Sequence, residues 1–521
     1  MSGRLILLGV RYVFLRMLSV GRRVHVVKKL IPSTALVSLV LWLLWVASRV
    51  TLVRLVLQET SPIGDVKYYF VGVFRLVPGA LKEYPEVGTW PINLLGWITG
   101  SNLEHFIIGF VIMCLLVDAL FYAFLVTSRW RGRIIAALYW CLFGLATMQV
   151  FILRLDIVPG VLVGLAALSL FSHPYVASWV LAFATSMKLW PGVLAAGLVG
   201  KFSSGKSWLR LLSFAVALVA FGSIVYIQGG WERLLSPLTY QSDRGLQIES
   251  LPATLFMYRA IASPEEYEVF YAASKSFEIV GPGVDTAATI STWLMGATVV
   301  FAFLWALKHF LFGTWRAYST LCWSIAVVLL LIVTNKVLSP QYIIWVGPLV
   351  AIALLVKPKS VFAVIEALLM IALAYFSWQV YPQNYPSIMQ VPFDHTNGVN
   401  ALVIRNVLYL VATVIALVWA IWASVVDRDP TLATTKAAEA LPPSPERAEE
   451  SPTTEIAPLP ATEKPSPQAH LPVGTHSHAV QQATDWAAQA PRIVSDQSSY
   501  SGRPVTFPPN TPQTPRQNTG K

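Results

Sequence analysis

The stretch PYVASWVLAFATSMKLWPGVLAAGLVG, residues 174–200, decides how the rest of the chain is threaded. It is apolar along most of its length, but Lys188, Trp190 and Pro191 interrupt it. It therefore reads either as one kinked helix or as two short ones meeting near a membrane face. The basic connectors around it choose between these. Arg129-Trp130-Arg131-Gly132-Arg133, Lys201 to Arg210, Lys308 to Arg316 and Lys357-Pro358-Lys359 carry the positive charge that gathers on the cytoplasmic side. They share one side only if residues 174–200 cross twice.

The composition around this stretch is that of a membrane protein. Of 521 residues 55% are hydrophobic and 12% are charged, where a soluble domain carries about a quarter; the mean hydropathy is +0.60. Apolar runs long enough to span, at roughly 20 residues each, lie at 33–57, 104–127, 133–152, 157–171, 208–228, 289–312, 317–335, 341–356, 360–380 and 401–425. With the double crossing at 174–200, the expected fold is an all-α polytopic bundle of about twelve transmembrane helices with both ends inside. No fixed-period repeat is evident.

The net charge of +11 is accounted for by these connectors and by the basic start, which excludes the need for a nucleic-acid partner. Residues 1–30 hold Arg4, Arg11, Arg16, Arg22, Arg23, Lys28 and Lys29 without an acid and without a compact signal-peptide cleavage pattern. They read as a cytoplasmic basic segment that fixes orientation at the lipid surface. From 31 to 426 runs the membrane domain. From 427 to 521 the sequence turns to Pro, Ala, Ser, Thr, Glu and Gln, too little apolar area to offset the entropy of ordering, and is expected to be a disordered cytoplasmic tail. Cys114, Cys141 and Cys322 all fall inside apolar runs, so neither a disulfide framework nor a thiolate metal site is indicated.

The orientation sends every chemically interesting connector to the outer face. The first, 58–103, carries Gly64-Asp65-Val66-Lys67-Tyr68-Tyr69 and Glu83-Tyr84-Pro85-Glu86. A carboxylate there suits a general base acting on a sugar hydroxyl, although Asp65 could equally cap the next helix. Arg154-Leu155-Asp156-Ile157-Val158-Pro159 places two charges between apolar runs, costly unless paired or facing water; a snorkelling Arg and a capping Asp are the alternative. Lys188-Leu189-Trp190-Pro191 and Lys336-Val337-Leu338-Ser339-Pro340-Gln341-Tyr342 repeat a cation beside a Pro at a helix break. The second also starts a helix whose amides could hold a phosphate. The connector 229–288 contributes Tyr240-Gln241-Ser242-Asp243-Arg244-Gly245-Leu246-Gln247-Ile248-Glu249-Ser250, an inventory suited to hydroxyls and phosphate, or simply to a solvated loop. The last outer loop adds Asp394 and His395.

Taken together, Asp65 with its aromatics, Arg154-Leu-Asp-Ile-Val-Pro159, Lys188-Leu-Trp-Pro191, Arg244-Gly-Leu-Gln247 and Lys336-Val-Leu-Ser-Pro-Gln-Tyr342 resemble glycosyltransferase family 87, over roughly residues 33–425. That family has the GT-C membrane fold and includes polyprenyl-phosphate-mannose-dependent mannosyltransferases and an arabinofuranosyltransferase of actinobacteria. The resemblance implies inverting transfer of a sugar, mannose being the commoner assignment, from a polyprenyl-phosphate donor to a glycolipid or lipoglycan outside the plasma membrane. It implies Asp65 as general base. Donor-phosphate or substrate binding is expected of Arg154, Asp156, Lys188, Tyr240, Arg244, Gln247, Lys336, Gln341, Tyr342 and His395. No Asp-x-Asp nucleotide-sugar motif stands in the outer loops, so no metal or other cofactor is expected. A transporter or lipid flippase would share the span count and intramembrane charges, but would put its polar residues near the midplane. A membrane scaffold acting through the Pro-rich tail is the third alternative.

Overall fold

The computed structural model describes residues 33–426, apart from 59–60, 243, 273 and 314. The basic segment expected at 1–30 and the tail expected from 427 lie outside the described residues. The protein is all-helical, with 76% helix and 2% strand. Among the described residues, seven helices are long and apolar enough to cross a membrane: α1 (Ser33–Gln58), α4 (Leu103–Thr127), α5 (Arg133–Thr147, extended by a 3-10 turn to Ile152), α8 (Gly205–Ser242), α10 (Val284–Leu311), α13 (Val361–Trp378) and α14 (Asn397–Val425). Three shorter apolar helices, α6 (Ile157–Ser169), α11 (Ala317–Val333) and α12 (Ile343–Val356), pack among them. The remaining helices are α2 (Gly64–Val73), α3 (Glu86–Thr99), α7 (Pro174–Met187) and α9 (Thr254–Ala262).

Burial sorts these helices by position. Every residue of α12 is buried and nearly every residue of α11 is; helices apolar all round belong in the centre of a bundle. By contrast α8 and α10 leave Val219, Ile227, Trp293 and Phe303 exposed, the surface expected toward lipid tails. Where helices cross closely, glycine makes room: a Cβ on Gly160 would meet the Ile344 carbonyl at 2.6 Å, and one on Gly88 would clash with the Met187 carbonyl.

The basic connectors do meet at one end. Gly132 donates to the Leu355 carbonyl, Phe202 to that of Phe310, and Trp315 Nε1 to that of Gly197. Lys357 lies over the Tyr318 ring. The stretch 174–200 starts at this end, beside the contact of Trp130 with Phe171. It runs as α7 to the opposite end, breaks at Lys188, and returns as a 3-10 helix (Trp190–Leu198) whose last carbonyl accepts from Arg210. The break at Lys188 is thus a reversal. The pieces are short, 14 and 9 residues, so neither alone spans roughly 30 Å of hydrocarbon.

At the end opposite the basic connectors, the long connectors 58–103 and 229–288 fold into a cap. Its elements are α2, α3, α9, the outer part of α8 and a hairpin of β1 (Glu268–Tyr271) with β2 (Phe277–Val280), paired antiparallel with Glu268 opposite Val280. The hairpin, α9 and the start of α14 share a core of their own, including Ile248, Phe256, Met257, Ile279, Val399 and Leu402. Gly230, at φ 66° and ψ −167°, breaks α8 where it leaves the bundle. The cap is then pinned by Arg405 of α14, fully buried, which holds the Glu249 carboxylate at 2.6 Å and its carbonyl at 2.6 Å.

Candidate functional site

The site forms where the cap meets the bundle, and helix ends deliver it. Met148, at φ 55°, turns the chain out of α5, so that residues 153–156 cross the bundle end before α6 begins. Arg154, 3% exposed, donates through Nη1 to the Pro62 and Leu153 carbonyls and through Nη2 to the Tyr381 hydroxyl. Its Nε lies 2.9 Å from the Asp65 carboxylate, an ion pair whose N–H is not aligned for a hydrogen bond. Burial opposes the charge on Arg154, but Asp65, then Tyr381 and Tyr69, more than offset it and raise its pKa.

Asp65 sits in the first turn of α2, yet it does not cap it: the N-cap position is Ile63, with no side-chain cap. Its carboxylate is 42% exposed. The neighbouring phenol of Tyr69 is buried, and burial followed by Asp65 lifts its pKa far above the ordinary tyrosine range. Tyr69 and Tyr84 meet hydroxyl to hydroxyl at 3.3 Å, and burial raises Tyr84 in the same way.

Asp156 is 1% exposed and likewise caps nothing. Its Oδ1 receives Lys188 Nζ at 2.5 Å and Trp345 Nε1 at 2.6 Å, while its Oδ2 has no hydrogen-bond partner. Lys188 does not snorkel; its ammonium lies 5.9, 5.6 and 5.1 Å from the ring centroids of Tyr84, Tyr342 and Trp345. Tyr342, Trp345 and Trp190 stack in series. A small recess opens beside this pair, lined by Tyr84, Gly88, Leu155, Asp156, Pro159, Met187 and Lys188. A cation caged by aromatic faces and a carboxylate with a spare acceptor can receive an anion on one side and a hydroxyl on the other.

The 244–247 and 336–342 segments are laced together. Gln247 donates its N–H to the Lys336 carbonyl, and its Oε1 accepts from Leu338. Gln341 accepts from Ser339 within its own turn. Arg244 donates to the Ser274 carbonyl in the hairpin turn, while Glu278 receives Ser274 Oγ at 2.5 Å and the Gly245 N–H at 3.1 Å. Glu249, buried beside Arg405, has its pKa raised by burial against the pull of Arg405 and then Arg154.

Of the expected site residues, the structure therefore gathers Asp65, Arg154, Asp156, Lys188, Arg244, Gln247, Lys336, Gln341 and Tyr342 at one end of the bundle. His395 is exposed on the segment entering α14, and nothing described joins it to the cluster. Tyr240 lies in the last turn of α8, and its side chain lies outside the described residues. Trp345, Tyr381, Lys275, Glu278 and Arg405 also belong to this end of the bundle and stand in none of the sequence motifs. Trp345, three residues past Tyr342, shares its helix face and could have been found. Lys275 carries no local signal. Among the described residues no three His, Cys, Asp or Glu side chains come together as a metal site. Comparisons with protein-family models, curated proteins and solved structures find no match to the chain.

Proposed function

We propose that the chain is a GT-C-type membrane glycosyltransferase, similar to family 87, whose apolar runs make about twelve crossings of the plasma membrane. Both termini are then cytoplasmic, and the cap with its site faces outside. The reaction is inverting transfer of mannose from a polyprenyl-phosphate donor to a glycolipid or lipoglycan of the cell envelope. Asp65 takes the proton of the acceptor hydroxyl. The freed oxygen attacks the anomeric carbon from the face opposite the phosphate, the carbon–oxygen bond to the phosphate breaks, and polyprenyl phosphate leaves with the electron pair. Lys188, Arg244, Lys336 and Arg154 balance the charge that develops on it, with no metal required.

The observation that carries this reading is the half-exposed Asp65 carboxylate, oriented by buried Arg154, at the same bundle end as the caged Lys188 and the Arg244 and Lys336 segments. Base and cations are what transfer from a phosphate-linked sugar needs. A transporter or flippase reading draws on one different feature, Glu366, fully buried within α13 with neither carboxylate oxygen hydrogen-bonded. The experiment is incubation of the purified protein with polyprenyl-phosphate mannose or arabinofuranose and total envelope lipids, with mass analysis of products. A hexose added to a lipid acceptor is expected. A pentose would move the assignment to arabinofuranosyl transfer, and no product from either donor would favour the transporter.

A further inference from the structure

The hairpin of the cap ends in a turn, Ala272 to Ser276, whose Lys275 adopts φ 58°. This is the left-handed region that glycine enters freely and a lysine side chain disfavours. The conformation sends the Lys275 ammonium back onto α2. Its Nζ donates to the Tyr68 hydroxyl at 3.0 Å and lies 4.2 Å from the Tyr68 ring centroid. Tyr68 is three residues after Asp65 on α2, a spacing that puts the two on adjacent positions of one face. The Tyr68 hydroxyl is itself fixed by the Leu81 N–H at 2.9 Å.

The same turn also anchors Arg244, whose Nη2 reaches the Ser274 carbonyl at 3.0 Å. Glu278 ties the turn to that segment through Ser274 and Gly245. One turn thus holds two cations, Arg244 through the Ser274 carbonyl and Lys275 against Tyr68 of the helix that carries Asp65. Partial burial lowers the pKa of the Lys275 ammonium, and Glu83 opposes that shift. An ammonium seated against an aromatic face, with donors left to make, is suited to a phosphate oxygen.

Resting on the transferase reading, we propose that Lys275, with Tyr68, forms an anion subsite that binds the phosphate of the lipid-linked donor one helical turn from Asp65. Lys275→Gly makes the test specific, because it removes the charge while relieving the backbone. The full-length protein in lipid nanodiscs would be titrated with polyprenyl phosphate, the neutral polyprenol and inorganic phosphate, beside its melting temperature. Wild type is expected to prefer polyprenyl phosphate over polyprenol. Lys275→Gly should lose roughly ten- to a hundredfold of that preference, with a melting temperature unchanged or higher, and Lys275→Arg should retain most of it. An unchanged preference in Lys275→Gly would overturn the subsite and leave the transferase reading standing. A wild type that does not distinguish the two lipids would overturn both. Competition by inorganic phosphate at matching concentration would overturn the assignment to a lipid-linked phosphate.

Discussion

Two buried charge clusters sit in the same bundle and are built differently. Within the spans, Arg49 of α1 grips Asp118 of α4 through Nε at 2.7 Å and Nη2 at 2.9 Å, and both are almost wholly buried. The indole N–H groups of Trp45 and Trp140 complete the carboxylate, while Arg49 Nη1 reaches the Ser48 hydroxyl. Nothing there is left to offer. At the bundle end, Asp65 is half exposed, Arg154 Nε is unaligned and Asp156 keeps an unpartnered oxygen. A closed network holds helices together, and an open one has capacity to bind. On the transferase reading proposed above, the first is structural and the second functional.

The largest expected effect comes from opening the closed cluster. Asp118→Leu leaves Arg49 buried without its partner, which costs about 3–5 kcal/mol. A matching fall in the thermal unfolding midpoint in detergent should appear, and adding Arg49→Met should recover most of it, since both charges are then gone. A stable Asp118→Leu protein that fails to transfer sugar would reverse the comparison and put chemistry in the spans.

Next come the cations of the open cluster. If the donor phosphate is held as proposed, Arg244→Ala and Lys336→Ala would each remove a charge-assisted contact worth about 1.5–3 kcal/mol, so donor use should fall roughly ten- to a hundredfold with acceptor use little changed. Steady-state kinetics with each substrate varied in turn measures this. Equal losses for donor and acceptor would mean the segments they belong to had been displaced as a unit.

The smallest effect concerns a helix that borders neither cluster closely at its start. Asn102 caps α4, accepting from the His105 N–H at 2.9 Å. Asn102→Ala should cost about 1 kcal/mol of stability and leave turnover per folded molecule unchanged. A drop in turnover without a drop in midpoint would show that α4 transmits strain to the site.

The helices were legible because a span must be apolar for its whole length; each run from 33–57 to 401–425 corresponds to a helix in the structure. The break at Lys188 was legible because Lys188, Trp190 and Pro191 interrupt an apolar run, while the two crossings expected from charge fall on pieces of 14 and 9 residues, each too short to span alone. The cap was not. Its hairpin is two strands of four residues, too short to impose a pattern, and its core is completed by Val399 and Leu402 from the start of the last helix. The pairings of the site were equally hidden. Arg154 and Asp156 could be singled out as costly charges, but their partners Asp65, Lys188 and Trp345 lie 32 to 189 residues away. Trp345 and Lys275 act through tertiary position, which single-chain periodicity does not encode.

The central claim is that the open cluster does chemistry and that Asp65 is its base. Asp65→Asn tests this most directly, since it keeps the shape and most hydrogen bonds but cannot take up a proton at neutral pH. Turnover, polyprenyl-phosphate binding and the melting temperature would be measured on one preparation. The account predicts a loss of turnover of about a hundred- to ten-thousandfold, with binding retained and the midpoint nearly unchanged. Turnover within a fewfold of wild type, or a loss of stability that matches the loss of turnover, would contradict it.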